Sequence, residues 1–295
     1  MVAVDWTLYW FMLPVATLVT TTAMLSGVGG ATFFTPIFLI VLPLLGPEYP
    51  LQSTAASIGA ALLTMVFGFS SGFIGYWRRR LIDFAAALPF AAVAVPVGCA
   101  GALSLAALRS HDALLVGIYA VLMFVVATII GRRRAAAASP SSTGLNGAAA
   151  DRSLTTADGQ TFAYRRPRLG AFGTAVTAFG AYLTGLLGVG IGEAIMPQLV
   201  RRNRIPLPVA AGMSVFTVIL TIVCASAVQI ASLGAAEIPW HLVCYTIPGV
   251  ILGGQIGPRL QGRLPQRTME CAIAALFTVI GLCMAYIALR KFGLL

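Results

Sequence analysis

Charged residues are scarce in this sequence. Asp, Glu, Lys and Arg together make up 9% of the 295 residues, whereas a soluble domain carries about 25%. Hydrophobic residues make up 59%, and the mean hydropathy is +0.92. The low charge excludes an ordinary soluble domain, and the long apolar segments predict an all-α polytopic membrane protein in the lipid bilayer. The first apolar segment lacks a basic leader, so we expect a retained span rather than a cleaved signal peptide.

Histidine is also scarce, and the cysteines follow no motif. The two histidines, His111 and His241, have no partner at metal-ligand spacing, and no nucleotide motif or Ser/His/Asp set is present. We therefore predict no metal, no cofactor and no enzymatic activity. The five cysteines lie in apolar segments without C-x-x-C spacing and are interpreted as small core residues: Cys99, Cys224, Cys244, Cys271 and Cys283.

The formal net charge of +10 comes from short clusters of arginine between apolar runs. A nucleic-acid-binding protein would instead carry its cations on one soluble face. We therefore expect no nucleic-acid partner, and we interpret the clusters as signals for orientation in a membrane.

A glycine-rich motif occurs twice, within 26–36 and within 187–197. Both copies read Gly-Val-Gly, then six residues, then Pro, and they are separated by a constant 161 positions (188 − 27, 190 − 29, 197 − 36). Such a run of glycine is expected to interrupt a helix. At membrane depth, unwound backbone is tolerated only inside protein or beside an aqueous cavity.

The segments that carry these motifs are too long for single spans. Residues 8–45 as one helix would reach about 57 Å at 1.5 Å per residue, against a hydrocarbon core of about 30 Å. The eight apolar segments run approximately over 8–45, 51–77, 84–107, 113–131, 169–200, 205–233, 240–258 and 268–289. The long segments must therefore fold back or tilt strongly.

The distribution of Lys and Arg favours folding back. If 169–200 is a hairpin that enters and leaves on one side, 16 of the 19 cations face the cytoplasm; if it crosses once, the number falls to 12. Cytoplasmic loops carry an excess of Lys and Arg. The sequence therefore predicts hairpins, and with them a cytoplasmic position for the central linker.

The predicted architecture is two inverted-topology repeats, each a Gly-broken re-entrant hairpin followed by three transmembrane helices. The first repeat covers 1–131 and the second 169–295, with a cytoplasmic linker at 132–168. Ser57 in the first half and Ser214 in the second occupy corresponding positions after the two glycine motifs, which supports a duplication of the sequence. Within the linker, Asp158-Gly159 lies between β-prone residues and predicts a small β-hairpin. The simplest interpretation of the linker is a tether between the two repeats.

The second arm of each hairpin is predicted to begin just after the glycine-rich tip. Its free backbone N–H groups and the positive end of its dipole would point into the bundle. Two such N-termini arriving from opposite faces form an anion site; the competing interpretation is that the glycines only permit close helix packing. The predicted binding residues are Ser26, Gly27, Gly29, Gly30, Ala31, Thr32, Ser57, Gly188, Gly190, Ile191, Gly192 and Ser214.

Glu193 is the acidic residue placed well inside an apolar segment. An ionised carboxylate there would cost about 2.5–3.5 kcal/mol on insertion scales. One interpretation is a proton carrier that couples transport, and the other is a carboxylate that caps the helix, worth about 0.3–1 kcal/mol. Since Glu193 stands where Thr32 stands in the first copy, the two copies are chemically unequal.

These features resemble the TauE/SafE sulfite exporter family, over nearly the whole chain except 132–168. The resemblance rests on the two Pro-terminated glycine motifs, Gly27 to Pro36 and Gly188 to Pro197, and on the small-residue motifs that end at Ser57 and Ser214. The family pattern usually runs Gly-x-Gly-Gly-Gly, and this sequence departs from it at Ala31 and Ile191.

The resemblance implies a secondary permease for sulfur-containing anions such as sulfite or an organosulfonate, driven by protons in a bacterial or archaeal cell membrane. Its partners would be the anion, protons and the bilayer, with a homodimer left open. The alternatives are a passive small-anion channel and a thiol-dependent permease for thiosulfate or a related sulfur compound.

Overall fold

The computed structural model describes residues 6–26, 30–46, 49, 53–131, 151–157, 159–189, 191–234, 238–260 and 266–291. These residues are mainly helical. Four helices are long and apolar enough to cross a membrane, within Thr54–Arg78, Phe84–Leu108, Leu207–Leu233 and Cys271–Lys291, and shorter apolar helices accompany them. The predicted all-α polytopic membrane protein is confirmed at this level.

Both glycine motifs break a helix, as predicted. In each copy, the helix after the glycines begins within one residue of the expected position. This helix ends at the proline of the motif, and a five-residue π-helical turn follows it. The two π turns are themselves 161 positions apart. In the first copy the elements are α1 (Met12–Ser26), α2 (Ala31–Pro36), the π turn Ile37–Val41 and α3 (Leu42–Leu45); in the second they are α7 (Ala171–Leu187), α8 (Ile191–Pro197) and the π turn Gln198–Arg202.

The chain folds back at each motif. Before the first motif, the rings of Tyr9 and Phe11 lie 5.6 and 5.8 Å from the ring of Tyr49, which follows it. Around the second motif, the Arg202 guanidinium lies 5.5 Å from the Phe172 ring centroid. Since the two ends of each broken segment are in contact, neither segment is one straight helix.

Within the described residues, six long helices complete the bundle: α4 (Thr54–Arg78), α5 (Phe84–Leu108), α6 (Asp112–Gly131), α9 (Leu207–Leu233), α10 (Trp240–Leu260) and α11 (Gln266–Lys291). The main packing pairs are α1 with α10, α5 with α7, α4 with α10, α5 with α9, α4 with α9, and α6 with α11.

The bundle has two opposite faces. The linker face is the one at which α4 ends, α9 begins and the linker hairpin docks; there the Ala157 amide donates to the Arg79 carbonyl at 3.1 Å. The far face is the opposite one, at which α4 and α6 begin, and there the Thr54 amide donates to Asp112 at 3.4 Å.

Glycines bring two helix pairs into backbone contact. Along α10, a Cβ added at Gly253 would lie 2.6 Å from the Thr17 carbonyl of α1. In the α5–α7 pair, a Cβ at Gly185 would overlap the Gly98 carbonyl. Close packing is therefore the role of these glycines, as small residues often allow in membrane helices.

The predicted hairpin in the linker is confirmed. Strands β1 (Arg152–Thr155) and β2 (Thr161–Tyr164) pair antiparallel, and Gly159 in the turn has φ +77°; Asp158 lies outside the described residues.

The hairpin docks on Asp83, which is 6% exposed and caps α5 through the Ala86 amide. One guanidinium nitrogen of Arg152 donates to both carboxylate oxygens of Asp83 at 3.0 Å, and the Tyr164 hydroxyl donates to the carboxylate at 2.8 Å. Burial and the Asp83 carboxylate raise the pKa of Tyr164, although Arg152 opposes the shift.

Candidate functional site

The two motifs meet through equivalent residues. The Thr32 hydroxyl of α2 donates to Oε1 of Glu193 in α8 over a long contact of 3.5 Å, and the two residues are 161 positions apart. Thr32 is fully buried and Glu193 is half-buried. A hydroxyl from one broken helix and a carboxylate from the other thus lie together in the first turn after each tip.

Tyr119 of α6 holds Thr32 from the other side. Its hydroxyl donates to the Thr32 carbonyl at 3.0 Å, and its side chain is 1% exposed. The residue four positions after Thr32 is Pro36, which has no N–H to donate to that carbonyl. Tyr119 therefore supplies the hydrogen bond that the proline removes.

Gly188 ends α7 in the left-handed conformation, with φ +79° and its amide bonded to the Thr184 carbonyl at 2.8 Å. Glycine is the residue that adopts this conformation without strain. A Cβ at Gly188 would also lie 3.0 Å from Cβ of Ala31. Both the sharp stop of α7 and the close approach of the two tips therefore require glycine here.

The Ile191 amide at the start of α8 is already used within the protein. It donates to the Thr184 hydroxyl at 2.8 Å, and this hydroxyl itself donates to the Gly180 carbonyl. The predicted role of Ile191 as a donor to an anion therefore does not fit this arrangement. Gly192 lies buried in the same first turn, where helix geometry leaves amides without intrahelical partners.

The first tip is packed against α4. Gly30 precedes Ala31 at the start of α2, and a Cβ there would overlap the end of the Met65 side chain. Both Ala31 and Gly30 are buried. Gly27, Gly29 and Gly190, and the side chain of Ser26, lie outside the described residues.

Ser57 and Ser214 are not brought together. The Ser57 hydroxyl donates to the Ser53 carbonyl of its own helix at 3.1 Å, near the far face. Ser214 is 4% exposed in α9, two turns from the linker face. A serine in a membrane helix often bonds its own helix backbone, and Ser57 does so.

Two residues that sequence reasoning did not select contribute to the site, Tyr119 and Thr184. A third, Gln229, was a candidate path-lining residue because it is a polar side chain within an apolar span. Gln229 of α9 donates to the Gly185 carbonyl at 2.8 Å, one turn before the end of α7. Thr184 could have been selected from the sequence, since it lies four residues before the glycine that ends its helix. The contact of Tyr119 could not be predicted from the sequence, because it depends on how distant helices pack.

Two broken helices that meet inside a bundle of apolar spans define a multi-pass membrane protein of the transporter type. The family model described as sulfite exporter TauE/SafE matches residues 11–284, and the chain belongs to this family.

A curated relative is the "Probable membrane transporter protein YunE" of Bacillus subtilis (strain 168). It is 22% identical to this chain over 269 residues, which cover 90% of this chain and 93% of the relative. No solved structure matches the chain.

Proposed function

We propose that this protein is a secondary transporter of a small sulfur-containing anion, sulfite or an organosulfonate, which binds where the two broken helices meet. The observation that carries the proposal is the 3.5 Å contact between Thr32 and Glu193. It places a hydroxyl donor and a titratable carboxylate in the first turns of two helices, whose N-terminal dipoles favour negative charge. The family supports a sulfur oxyanion as the substrate.

The helix packing supports an inverted repeat. The proposed repeats pair α1 with α7, α4 with α9, α5 with α10 and α6 with α11. When the members of each pair are exchanged, the α1–α10 contact becomes the α5–α7 contact and the α4–α10 contact becomes the α5–α9 contact. The α4–α9 and α6–α11 contacts are unchanged by the exchange. The matched π turns obey the same exchange. The repeats would be 1–131 and 169–295, joined by the linker 132–168.

The positions of the arginines support a cytoplasmic linker. Arg79 and Arg80 lie at the end of α4 beside the docked hairpin, and Arg202 and Arg204 follow the second broken helix on the same face. This face would be cytoplasmic by the excess of positive charge. Both broken helices would then be re-entrant, one from each side, in the inner membrane of a bacterium or archaeon.

Glu193 is the residue proposed to couple transport to protons. An ionised carboxylate beside the bound anion would repel it, so the anion and the Glu193 charge should alternate rather than coexist. Protonation of Glu193 would permit anion binding, and loss of the proton after a change of access would release the anion. Alternating access about the two hairpins provides the change of exposure.

The test is uptake of labelled sulfite into proteoliposomes under an imposed pH gradient. Wild-type protein should accumulate sulfite, whereas Glu193→Gln should lose accumulation driven by the gradient, because glutamine carries no exchangeable charge. Glu193→Asp keeps the acid and serves as the matched control; it should retain a measurable part of the coupling. Accumulation by Glu193→Gln equal to that of wild type would overturn the coupling role, and the absence of flux for every sulfur anion would overturn the substrate class.

A further inference from the structure

A small cavity lies between α4 and α9 in the half of the bundle near the far face. Its volume is about 10 Å³, and it is lined by Ala56 and Gly59 of α4, by Ser226, Gln229 and Leu233 of α9, and by Ile238 of the following loop. A volume of that size corresponds to about one water molecule. The lining is mainly apolar, and its polar groups are those of Ser226 and Gln229.

The side-chain carbonyl of Gln229 needs a donor. Gln229 is 2% exposed, and while its amide nitrogen donates to the Gly185 carbonyl, its buried Oε1 has no hydrogen-bond partner among the described residues. A Cβ added at Gly59 would lie 3.6 Å from this oxygen, so the absence of a side chain at Gly59 leaves the space beside it. A buried acceptor without a donor is costly, and a bound water removes that cost.

Gln229 also connects this cavity to the second motif. Through Gly185 it contacts the last turn of α7, where the neighbouring Thr184 hydroxyl accepts the Ile191 amide at 2.8 Å. Glu193 follows two residues later in α8. In the other direction, Leu233 and Ile238 place the cavity next to the end of α9 at the far face. The cavity therefore lies between one face and the site.

In two neighbouring helix pairs, the backbones approach closely at glycine. In the α1–α10 pair, Gly253 approaches the α1 backbone closely, and in the α5–α7 pair Gly185 approaches Gly98 in the same way. Along α9, the hydroxyls of Thr217 and Thr221 bond carbonyls of their own helix. Gln229, by contrast, reaches another helix and keeps an acceptor directed to a cavity.

We propose that Gln229 binds a water molecule in this cavity and that the α4–α9 contact around it is the aqueous access route from the far face to Glu193. Use of the route by the transported anion rests on the proposed function; the presence of water does not. The amide of Gln229 would keep the α9–α7 contact closed in this conformation, and opening would expose the cavity lining to the far side.

The test is cysteine accessibility in a chain whose five native cysteines are replaced by alanine. Gly59→Cys and Ser226→Cys are treated with a membrane-impermeant, anionic methanethiosulfonate, on intact cells and on inside-out vesicles. The matched control is Val223→Cys, one turn from Ser226 on the same helix but 43% exposed on the outer surface of the bundle, where lipid excludes the reagent. We expect both cavity thiols to react at least about tenfold faster than the control, and from one side only.

Rates equal to the control from both sides, in protein that elutes as a single folded species in detergent, would overturn the access route. A second variant provides an independent check: Gly59→Ala fills the cavity without a clash, because its Cβ meets the Gln229 oxygen at an ordinary 3.6 Å. It should slow modification of Ser226→Cys, and an unchanged rate would overturn the role of the cavity.

The assay separates this inference from the proposed function, because labelling requires no substrate. Slower labelling in the presence of sulfite would support both. Fast, one-sided labelling that no sulfur anion slows would still support the access route while it contradicts the proposed substrate.

Discussion

Removal of one hydroxyl group, by Tyr119→Phe, tests whether the first tip is held in place from α6. The hydroxyl donates to the Thr32 carbonyl at 3.0 Å in a fully buried position. Because Pro36 has no N–H to replace it, the variant leaves a buried carbonyl without its donor, at a cost of about 1–3 kcal/mol. We expect the thermal midpoint in detergent to fall by about 2–4 °C per kcal/mol.

The same variant should weaken substrate binding. Thr32 contacts Glu193, so a shift of the α2 backbone changes the geometry of the proposed site. If the variant weakens the free energy of anion binding by about 1 kcal/mol, KM for the transported anion should rise about fivefold. Transport into proteoliposomes across a range of anion concentrations separates this effect from a change in maximal rate.

The matched control is Tyr182→Phe, which removes a hydroxyl that donates to Ser104 at 3.0 Å in the α5–α7 contact. This control should alter stability less, because the Ser104 hydroxyl keeps its own bond to Ala100, and it should leave KM unchanged. If Tyr119→Phe shows the midpoint and KM of the control, Tyr119 does not position Thr32 and the argument from Pro36 is wrong.

Three further predictions concern the tips, the linker and the cysteines. Gly188→Ala should lower the thermal midpoint, because a left-handed residue costs about 1–2 kcal/mol and its Cβ meets Ala31 at 3.0 Å; Gly75→Ala, with open space around it, should not. Because the pKa of Tyr164 is raised, docking of the linker hairpin should persist at neutral pH and weaken as pH rises above about 10, the usual tyrosine value; protease cleavage within 151–164 should then increase, and Tyr164→Phe should lack this transition. Cys244, Cys271 and Cys283 are exposed on the outside of the bundle, so their interpretation as core residues is wrong. Replacing all five cysteines should leave transport intact, because these three lie away from the site; loss of flux would instead favour the thiol-dependent alternative.

The helix breaks and their consequences could be predicted from the sequence because they depend on local signals. A run of glycine disfavours a helix, and 8–45 is too long for one span, so chain geometry predicted a break with folding back or strong tilt. The distribution of Lys and Arg then favoured folding back. The linker hairpin was equally local, since Gly159 supplies the left-handed turn residue between two β-prone strands.

The contacts that complete the site are not local, and for that reason they could not be predicted. Tyr119 is 87 positions from Thr32, and Arg152 is 69 positions from Asp83. Periodicity and spacing do not encode which face of α6 turns toward α2, or which carboxylate the linker reaches. The hydrogen bond from the Ile191 amide to the Thr184 hydroxyl could not be predicted for the same reason, because it depends on how the end of α7 folds against the start of α8.

The contact between Thr32 and Glu193 has a consequence for how two similar halves can perform different tasks. In the proposed inverted repeat, residues at equivalent positions meet only close to the axis that relates the two halves, so the difference between Thr32 and Glu193 lies at the centre of the bundle. Here one partner is a hydroxyl, which cannot change its charge, and the other is a carboxylate, which can. We therefore expect the second broken helix to carry the proton and the first, fixed by Tyr119, to provide a constant donor to the anion. A Thr32→Glu and Glu193→Thr exchange tests this directly: it should lose coupling, because Tyr119 and α6 support only the first position, and full coupling in the exchanged protein would show that the two halves are interchangeable.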